Sequence, residues 1–281
     1  MNTPFEVAAA AQLACLLEVS APKPGNVSPN RHFHDTRYED FLASAVAIGP
    51  ALAAANQHPL GTTIRHAVED TRRWTKSNTN LGIVLLVAPL AKAALLRGGT
   101  LRERLGRTLQ STTVEDAEQV YAAIRHAHPG GLGEAASEDV SDIPSVTLRE
   151  AMALAADRDA VAREYVTDFA LTFETGVPAL RTARENGLGW ADAVVDTYLT
   201  LLNSTPDTHI ARKLGREEAE TISRKAQAVL KAGPRSSAGL RALAELDEEL
   251  RDPKNRRNPG TTADLTCAAI FVVILEGGWD R

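Results

Sequence analysis

Helix start signals recur along this chain, and they constrain its fold more than any other feature of the sequence. In four segments a threonine is followed three residues later by glutamate and then by an amphipathic or apolar run: 36–39, 100–103, 112–115 and 147–150. In such a capping box the threonine side chain accepts from the third amide of the helix, while the glutamate accepts from the threonine amide. The recurrence predicts a protein built from many helices.

The residue types agree with that prediction. The chain has 281 residues, with 46 Ala and 32 Leu against 28 Val and Ile and 13 aromatic residues. Ala and Leu favour helices, whereas a parallel sheet would need several runs rich in Val and Ile. We therefore predict an all-α fold, a single compact domain over 1–281 with roughly ten to twelve helices.

The spacing of apolar residues places helices over eleven stretches. The longest, 148–186, is expected to bend or break near Gly176 and Pro178, because proline removes a backbone donor. The polar stretch 128–146 is predicted to be a mobile loop. The other ten helices are predicted over 4–19, 37–56, 61–76, 81–97, 101–110, 113–127, 190–204, 215–232, 237–251 and 262–276.

Charge, apolar length and cysteine content exclude several classes of protein. With 31 Lys and Arg against 36 Asp and Glu, the net charge of −5 gives no general attraction to nucleic acid or anionic membranes. The most apolar run, 81–96, contains Pro89 and Lys92 and is short for a membrane span. Cys15 and Cys267 cannot build a disulfide framework. We expect a cytoplasmic protein that binds neither nucleic acid nor membrane; a homodimer is compatible with the sequence.

Four polar segments interrupt the helical pattern with Gly, Pro and Asn beside charged groups. In the first, 18–40, two prolines stiffen the backbone around Lys23, which therefore loses little entropy on meeting a phosphate. The alternative is a rigid connector with a solvated lysine.

In the second polar segment, 77–82, Asn and Thr can cap the next helix. Their surplus also suits a phosphate, a ribose or a metal-bound water.

The third polar segment, 205–215, encloses a short helix with Asp207 in its first turn and two cations, Arg212 and Lys213, near its end. This polarity complements the helix dipole. Alternatively, Asp207 ligates Mg²⁺ while the two cations bind phosphates. His209, between them, is interpreted as a surface or structural residue.

The fourth polar segment, 252–264, is the strongest signal for an anion site in the chain. Three cations lead through a Pro-Gly pair into the N-terminus of the last apolar helix, where amides, hydroxyls and Arg side chains converge. Asp264 either caps its own helix at the third position or faces the same pocket as a carboxylate.

Together these segments supply carboxylates, cations and helix N-termini, which suits a Mg²⁺-dependent enzyme acting on a polyphosphate. The sequence has no Walker A motif, no GxGxxG, no HExxH and no zinc-ligand spacing, so the familiar nucleotide-binding folds are not indicated. The candidate carboxylates in these segments are Glu18, Asp35, Asp40, Asp207 and Asp264.

At the same segments the chain resembles the triphosphoribosyl-dephospho-CoA synthase family, whose members are helical. The resemblance runs nearly from end to end, through Pro22–Val27, Asn78–Gly82, Pro206–Asp207 and Asn258–Leu265. It implies a Mg²⁺-dependent transferase that moves the triphosphoribosyl group of ATP to dephospho-CoA and releases adenine.

The resemblance also implies roles for single residues. Asp207, Asp264 and Glu18 would be the catalytic carboxylates, and Mg²⁺ would be ligated by Asp207, Asp264 and Asp35. The residues that would contact substrate or phosphate are Lys23, Asn26, Asn78, Asn80, Arg212, Lys213, Arg256, Arg257, Asn258, Gly260 and Thr261.

The chain departs from the family pattern in two places. Asn80 and Leu81 stand where the well-known synthases have His-Lys, and Thr261 stands where they have a second Gly. Asn80 and Leu81 resemble instead a branch linked to tetrahydromethanopterin- or methanofuran-type one-carbon metabolism. Two alternatives follow: a related transferase with another acceptor or a pyrophosphate donor, and a non-catalytic helical nucleotide-binding protein.

Overall fold

A computed structural model of the chain describes residues 2–129 and 138–279. Within these ranges it contains fifteen α-helices, one π-helical turn and no β-strand, and an isolated bridge pairs Ser28 with Arg31. The predicted all-α fold is confirmed, with more helices than expected. The excess arises mainly in the stretch 148–186, which forms four separate elements.

The described residues form two compact units. The first comprises residues 2–16 and the described part of Glu39–Ala170, and the second comprises Leu17–Tyr38 and residues 171–279. The expectation of a single domain over the whole chain stays a prediction. Of the loop predicted to be mobile, 128–146, the part 130–137 lies outside the described residues.

The first unit contains all but the last residues of the first helix, together with the eight helices that follow. These helices are α1 (Pro4–Ser20), α2 (Tyr38–Ala47), α3 (Gly49–Ala53), α4 (Leu60–Arg72), α5 (Leu81–Leu95), α6 (Leu101–Gln110), α7 (Val114–Ala127), α8 (Leu148–Ala155) and α9 (Ala160–Val166).

Helix α5 is buried over almost its whole length, as its apolar sequence predicts. Pro89 lies inside it and cannot donate to the carbonyl of Leu85, four residues earlier. The hydroxyl of Tyr165 donates to that carbonyl instead, at 2.6 Å. The ammonium of Lys92 donates to two backbone carbonyls of the segment 55–58. Each polar interruption of this apolar helix therefore has a partner.

Capping boxes begin several of these helices. Reciprocal bonds at 100–103 and 147–150 confirm two of the four predicted boxes. A third box lies one residue later than predicted, at 113–116, and α2 begins at Tyr38 rather than at the residue after Thr36. Thr3 and Glu6 form a further reciprocal pair at the start of α1 that was not predicted.

The second unit contains the loop after α1 and seven further elements. These are the π-helical turn (Thr172–Gly176), α10 (Val177–Glu185), α11 (Trp190–Ser204), α12 (Thr208–Leu214), α13 (Arg216–Ala232), α14 (Ser237–Leu250) and α15 (Gly260–Leu275).

The π-helical turn packs closely against the buried helix α15. A Cβ atom on Gly176 would lie 2.8 Å from the Cβ of Ala269, a distance that side chains do not tolerate. Glycine thus permits this approach.

Among the described residues, no helix combines the length and the hydrophobicity needed to cross a membrane.

Candidate active site

Three of the four polar segments lie in the second unit, and Asp207 connects two of them. Asp207 is the N-cap of α12, where its Oδ1 accepts from the Ile210 amide at 3.0 Å. Its Oδ2 accepts from both the amide and the hydroxyl of Thr262, in the first turn of α15, at 2.8 Å. One carboxylate thus holds the N-termini of the two helices together.

The environment of Asp207 limits what else it can bind. Burial raises the pKa of its carboxyl, and the hydrogen bonds from Thr262 and Ile210 oppose that rise. A second bond between the same helix starts joins the hydroxyls of Thr208 and Thr261 at 3.1 Å. With three donors on its two oxygens, the carboxylate has little remaining capacity for a metal ion or a substrate proton.

The loop between α14 and α15 is organised by Asp252, near its start. The carboxylate of Asp252 accepts from the amides of Lys254, Arg256 and Arg257 at 2.6–2.9 Å. Although burial acts to raise the pKa of Asp252, the three amides lower it below its ordinary value. The amides of this loop therefore bind an internal carboxylate, while phosphate binding at the N-terminus of α15 stays a prediction.

The two arginines of this loop have different partners. Arg257 pairs with Glu218 of α13 at 2.9 Å. Arg256 contacts the Asp252 carboxylate at 3.3 Å, and half of its side chain is exposed. Arg257 is consequently anchored to a neighbouring helix, whereas Arg256 can turn towards a ligand at small cost.

Lys213 and Arg212 lie in the last turn of α12, as predicted. The ammonium of Lys213 donates to the Asn255 carbonyl of the same loop at 3.4 Å, and Arg212 is exposed. Burial, followed by repulsion from Arg212, lowers the pKa of Lys213. One partly buried cation, Lys213, therefore contacts the loop, and an exposed one, Arg212, lies next to it in α12.

Lys23 and Glu18 form a buried ion pair. The Lys23 Nζ lies 3.0 Å from the Glu18 carboxylate, and the two side chains are 0% and 5% exposed. The same ammonium donates to the carbonyls of Glu18 and Ala21. Lys23 is therefore neither a solvated lysine nor a lysine exposed for contact with a phosphate. Its ion pair with Glu18 fixes the loop after α1.

Asn26 and Asp35 connect that loop to other parts of the second unit. Asn26 Nδ2 donates to the hydroxyl of Tyr198 at 2.9 Å, and Tyr198 donates to the Pro24 carbonyl at 2.8 Å. Burial raises the pKa of Tyr198 far above its ordinary value, so the hydroxyl stays a donor. The exposed Asp35 accepts from Asn255 at 3.3 Å.

The start of α15 brings Asn258 and Gly260 next to a histidine of α12. The ring of His209 packs so closely on Gly260 that a Cβ there would lie 2.8 Å from its Nδ1. Burial, with smaller effects of Lys213 and Arg212, lowers the pKa of His209 to about 3, so the imidazole is neutral near pH 7. Within the described residues, His209 Nε2 and Asn258 Oδ1 are buried without a hydrogen-bond partner.

Asp264 is the fifth residue of α15, and its side chain is partly buried. Pro259 occupies the N-cap position, and no side chain caps this helix there. The alternative in which Asp264 caps its own helix at the third position is therefore wrong. Its predicted role as a carboxylate facing the pocket stays a prediction.

Asn78 and Asn80 lie in the first unit, where both are used locally. Asn78 Oδ1 accepts from the Leu81 amide at 3.1 Å. Asn80 is the N-cap of α5, but its side chain donates to the Thr71 hydroxyl at 3.0 Å. The apparent surplus of polar groups before α5 is thus explained by specific contacts, and ligand binding by these residues stays a prediction.

A resident metal site has little support from the side chains. Across residues 2–129 and 138–279, no group of three or more His, Cys, Asp and Glu side chains could hold a metal ion. Of the predicted ligands, Asp207 already accepts three hydrogen bonds and Asp35 is an exposed residue; metal binding by these two and by Asp264 stays a prediction.

Several residues that build the site were not predicted from the sequence. Asp247 of α14 accepts from the Gly25 amide at 2.8 Å and pairs with Arg251. Tyr198 and Asp252 were likewise missed, although an Asp at the start of a Pro- and Asn-containing loop is a recognisable turn signal. His209 was interpreted as structural, and nothing in its local sequence distinguishes that role from ligand binding.

Comparison with known proteins relates the whole chain to one family. The CitG family model, described as ATP:dephospho-CoA triphosphoribosyl transferase, matches residues 4–281. In the solved structures, a protein of Archaeoglobus fulgidus provisionally named triphosphoribosyl-dephospho-CoA synthase is similar, with a TM-score of 0.65 and 30% identity. The alignment covers 84% of this chain and 99% of that one.

Curated relatives carry the name "Probable 2-(5''-triphosphoribosyl)-3'-dephosphocoenzyme-A synthase". One from Pseudomonas savastanoi is 37% identical over 117 residues, 41% of this chain, so the chain spans only 38% of that relative. Another, from Pseudomonas fluorescens, is 30% identical over 251 residues, which are 74% of this chain and 84% of the relative.

Proposed function

Since the chain belongs to the CitG family, ATP:dephospho-CoA triphosphoribosyl transferase, we propose that it moves the triphosphoribosyl group of ATP to dephospho-CoA and releases adenine. The observation that carries this proposal is the match over residues 4–281, which includes all four polar segments. The clustering of three of those segments in the second unit supports it.

The proposed reaction is a glycosyl transfer. The bond between ribose C1′ and adenine breaks, and the adenine nitrogen keeps the electron pair and takes up a proton. A ribose hydroxyl of dephospho-CoA forms the new bond to C1′ and loses its proton, while the triphosphate stays attached. Positive charge develops at C1′, so the site needs a carboxylate to stabilise that charge and a base to accept the proton.

The contacts of Asp207 argue against a direct part in this chemistry, which leaves Asp264 as the other catalytic aspartate implied by the resemblance. Asp207 already accepts three hydrogen bonds and holds the starts of α12 and α15 together. We therefore assign Asp207 to positioning and assign charge stabilisation or proton acceptance to Asp264, one turn inside α15. Glu18 is paired with the buried Lys23 and receives no step.

The triphosphate is assigned to the cations that border the loop 252–258. Lys213 reaches it from α12, the half-exposed Arg256 belongs to it, and Arg212 neighbours Lys213 in the last turn of α12. Arg257 is anchored to Glu218 and is assigned to holding the loop. These cations supply positive charge in a chain whose net charge is −5, as binding of a polyphosphate requires.

The residues described do not fit a metal held by the protein alone. We propose that Mg²⁺ reaches the site on the triphosphate of ATP, which suits an ion that keeps several waters and takes few protein ligands. Asp264 is the candidate for an additional ligand.

The assay for the proposed function is adenine release. The full chain is incubated with ATP, Mg²⁺ and dephospho-CoA, and free adenine is measured by chromatography. We expect adenine only when dephospho-CoA is present. Asp264→Asn should lower the rate by about 10²- to 10⁴-fold, whereas the exposed control Asp157→Asn should not.

Two results would argue for the alternatives. Adenine release that requires a different acceptor would support a related transferase, as the Asn80-Leu81 departure suggests. Tight ATP binding without turnover on any acceptor would support a non-catalytic nucleotide-binding protein. Full activity of Asp264→Asn would remove Asp264 from the chemistry while leaving the reaction itself in place.

A further inference from the structure

Two buried polar atoms remain without hydrogen-bond partners at the edge of the candidate active site. They are Nε2 of His209 and Oδ1 of Asn258; the described residues hold two further such atoms elsewhere, Asp168 Oδ1 and Arg184 Nε. Buried polar atoms in folded proteins are nearly always hydrogen bonded, so a pair of exceptions in one place needs an explanation. The two explanations are an ordered water and a ligand.

One atom belongs to α12, and the other belongs to the residue just before the N-cap of α15. The His209 ring packs against Gly260, and Asn258 precedes that glycine by two residues. Asp207 fixes this helix start to α12 through Thr262. His209 is thus carried by a helix whose contact with the start of α15 is fixed, and Asn258 lies at the end of the loop 252–258 that leads into that start.

A cation to which we have assigned phosphate binding lies near them. Lys213 follows His209 by one helical turn and therefore shares its face of α12. Its ammonium donates to the Asn255 carbonyl, in the loop that contains Asn258. A ligand contacting His209 and Asn258 would consequently lie near a cation proposed to bind the triphosphate.

The chemistry of the two atoms selects the ligand group. Asn258 Oδ1 is an acceptor and requires a donor, which an ionised phosphate does not have. A neutral imidazole nitrogen can either donate or accept. A pair of adjacent hydroxyl groups offers donors and acceptors together, and both ATP and dephospho-CoA carry such a pair on ribose.

We propose that His209 and Asn258 bind the ribose hydroxyl groups of a nucleotide substrate at the start of α15. This inference rests on the proposed function for the identity of the nucleotides. It gives His209 a role in binding substrate, and it assigns Asn258 to a hydroxyl group rather than to phosphate.

The test measures whether replacing the His209 side chain changes how strongly the protein discriminates between nucleotides with and without a ribose hydroxyl group. Affinities of ATP, 2′-deoxy-ATP, 3′-deoxy-ATP and dephospho-CoA are measured by calorimetry on the wild type and two variants. His209→Gln places an amide near the position of Nε2, whereas His209→Asn places it near Nδ1. The exposed His66→Asn, in α4, is the matched control, and circular dichroism checks that each variant is folded.

If the ribose of ATP is bound here, the wild type should bind at least one deoxy nucleotide about 5- to 100-fold more weakly than ATP. His209→Asn should lose most of that discrimination, and His209→Gln should keep more of it. If the ribose belongs to dephospho-CoA, His209→Asn should instead weaken dephospho-CoA binding by a similar factor. Asn258→Asp, which keeps an acceptor oxygen, should retain more discrimination than Asn258→Ala.

The inference is overturned if His209→Asn discriminates between ATP and both deoxy nucleotides as the wild type does, with dephospho-CoA affinity unchanged. The two atoms would then be explained by water. Adenine release by the wild type reports separately on the proposed function. Coupling without adenine release would keep the ribose contact and remove the transferase activity.

Discussion

The buried ion pair of Lys23 and Glu18 allows a structural role to be separated from phosphate binding. Lys23→Met keeps most of the apolar stem of the side chain and removes the charge that faces Glu18 at 3.0 Å. Because the Glu18 side chain is 5% exposed, its carboxylate would stay buried without its partner. Removing one member of a buried pair costs about 3–5 kcal/mol, and we expect the free energy of unfolding to fall by that amount.

The measurement is urea unfolding followed by circular dichroism, with the slope compared between variants. The double variant Glu18→Gln/Lys23→Met removes both charges and should cost less than the sum of the two single changes. The reasoning is refuted if Lys23→Met unfolds with the wild-type free energy while its KM for ATP rises, since Lys23 would then bind phosphate.

Three further predictions concern single positions in the second unit. Asp207→Asn keeps one good acceptor for three donors and should cost about 1–3 kcal/mol in thermal unfolding. Because burial raises the pKa of Asp207, its protonated form stabilises the folded state at low pH. This stabilisation is lost as pH rises from 3.8 through the raised pKa, and the Asn variant should not show that pH dependence. The pKa of His209 is lowered to about 3 in the folded protein, from an ordinary value of 6.5. Between these values the unfolded chain binds a proton at this histidine and the folded protein does not. The wild type should therefore lose about 2 kcal/mol between pH 6.5 and 5, whereas His209→Gln should not, as thermal unfolding at both pH values will measure. Gly25→Ala should lower the urea midpoint more than Gly187→Ala does. Both residues have positive φ, +75° and +81°, but an added Cβ would lie 2.7 Å from Leu250 at Gly25 and in open space at Gly187. Equal effects would mean that backbone strain alone, without the steric clash, causes the loss of stability.

Helix starts could be predicted because their signals are local. The reciprocal bonds at Thr100 and Thr147 join residues three apart, so the pattern is readable from a short window. The stretch 148–186 was predicted as one helix that bends or breaks near Gly176 and Pro178, and the structure does change from the π-helical turn to α10 at Gly176. In the structure Asp159 caps a new helix, and Asp168 and Phe169 adopt left-handed backbone angles.

The candidate site was predicted less completely than the fold. The polar segments were found, because Pro, Gly and Asn interrupt helices wherever they occur. Their partners were not, since Asp252 accepts three amides that the sequence offers equally well to a phosphate. Likewise, Lys23 has the same local sequence whether it faces solvent or Glu18.

The sequence by itself determined that this chain is helical, because propensity and capping act between residues within one helical turn. It also determined which segments could carry chemistry, since their residue types are unsuited to helix interiors. Only the tertiary structure decided which side chains remain available. Asp207 meets Thr262 across 55 residues of chain, and a contact that distant fixes whether a carboxylate binds its own backbone or a substrate.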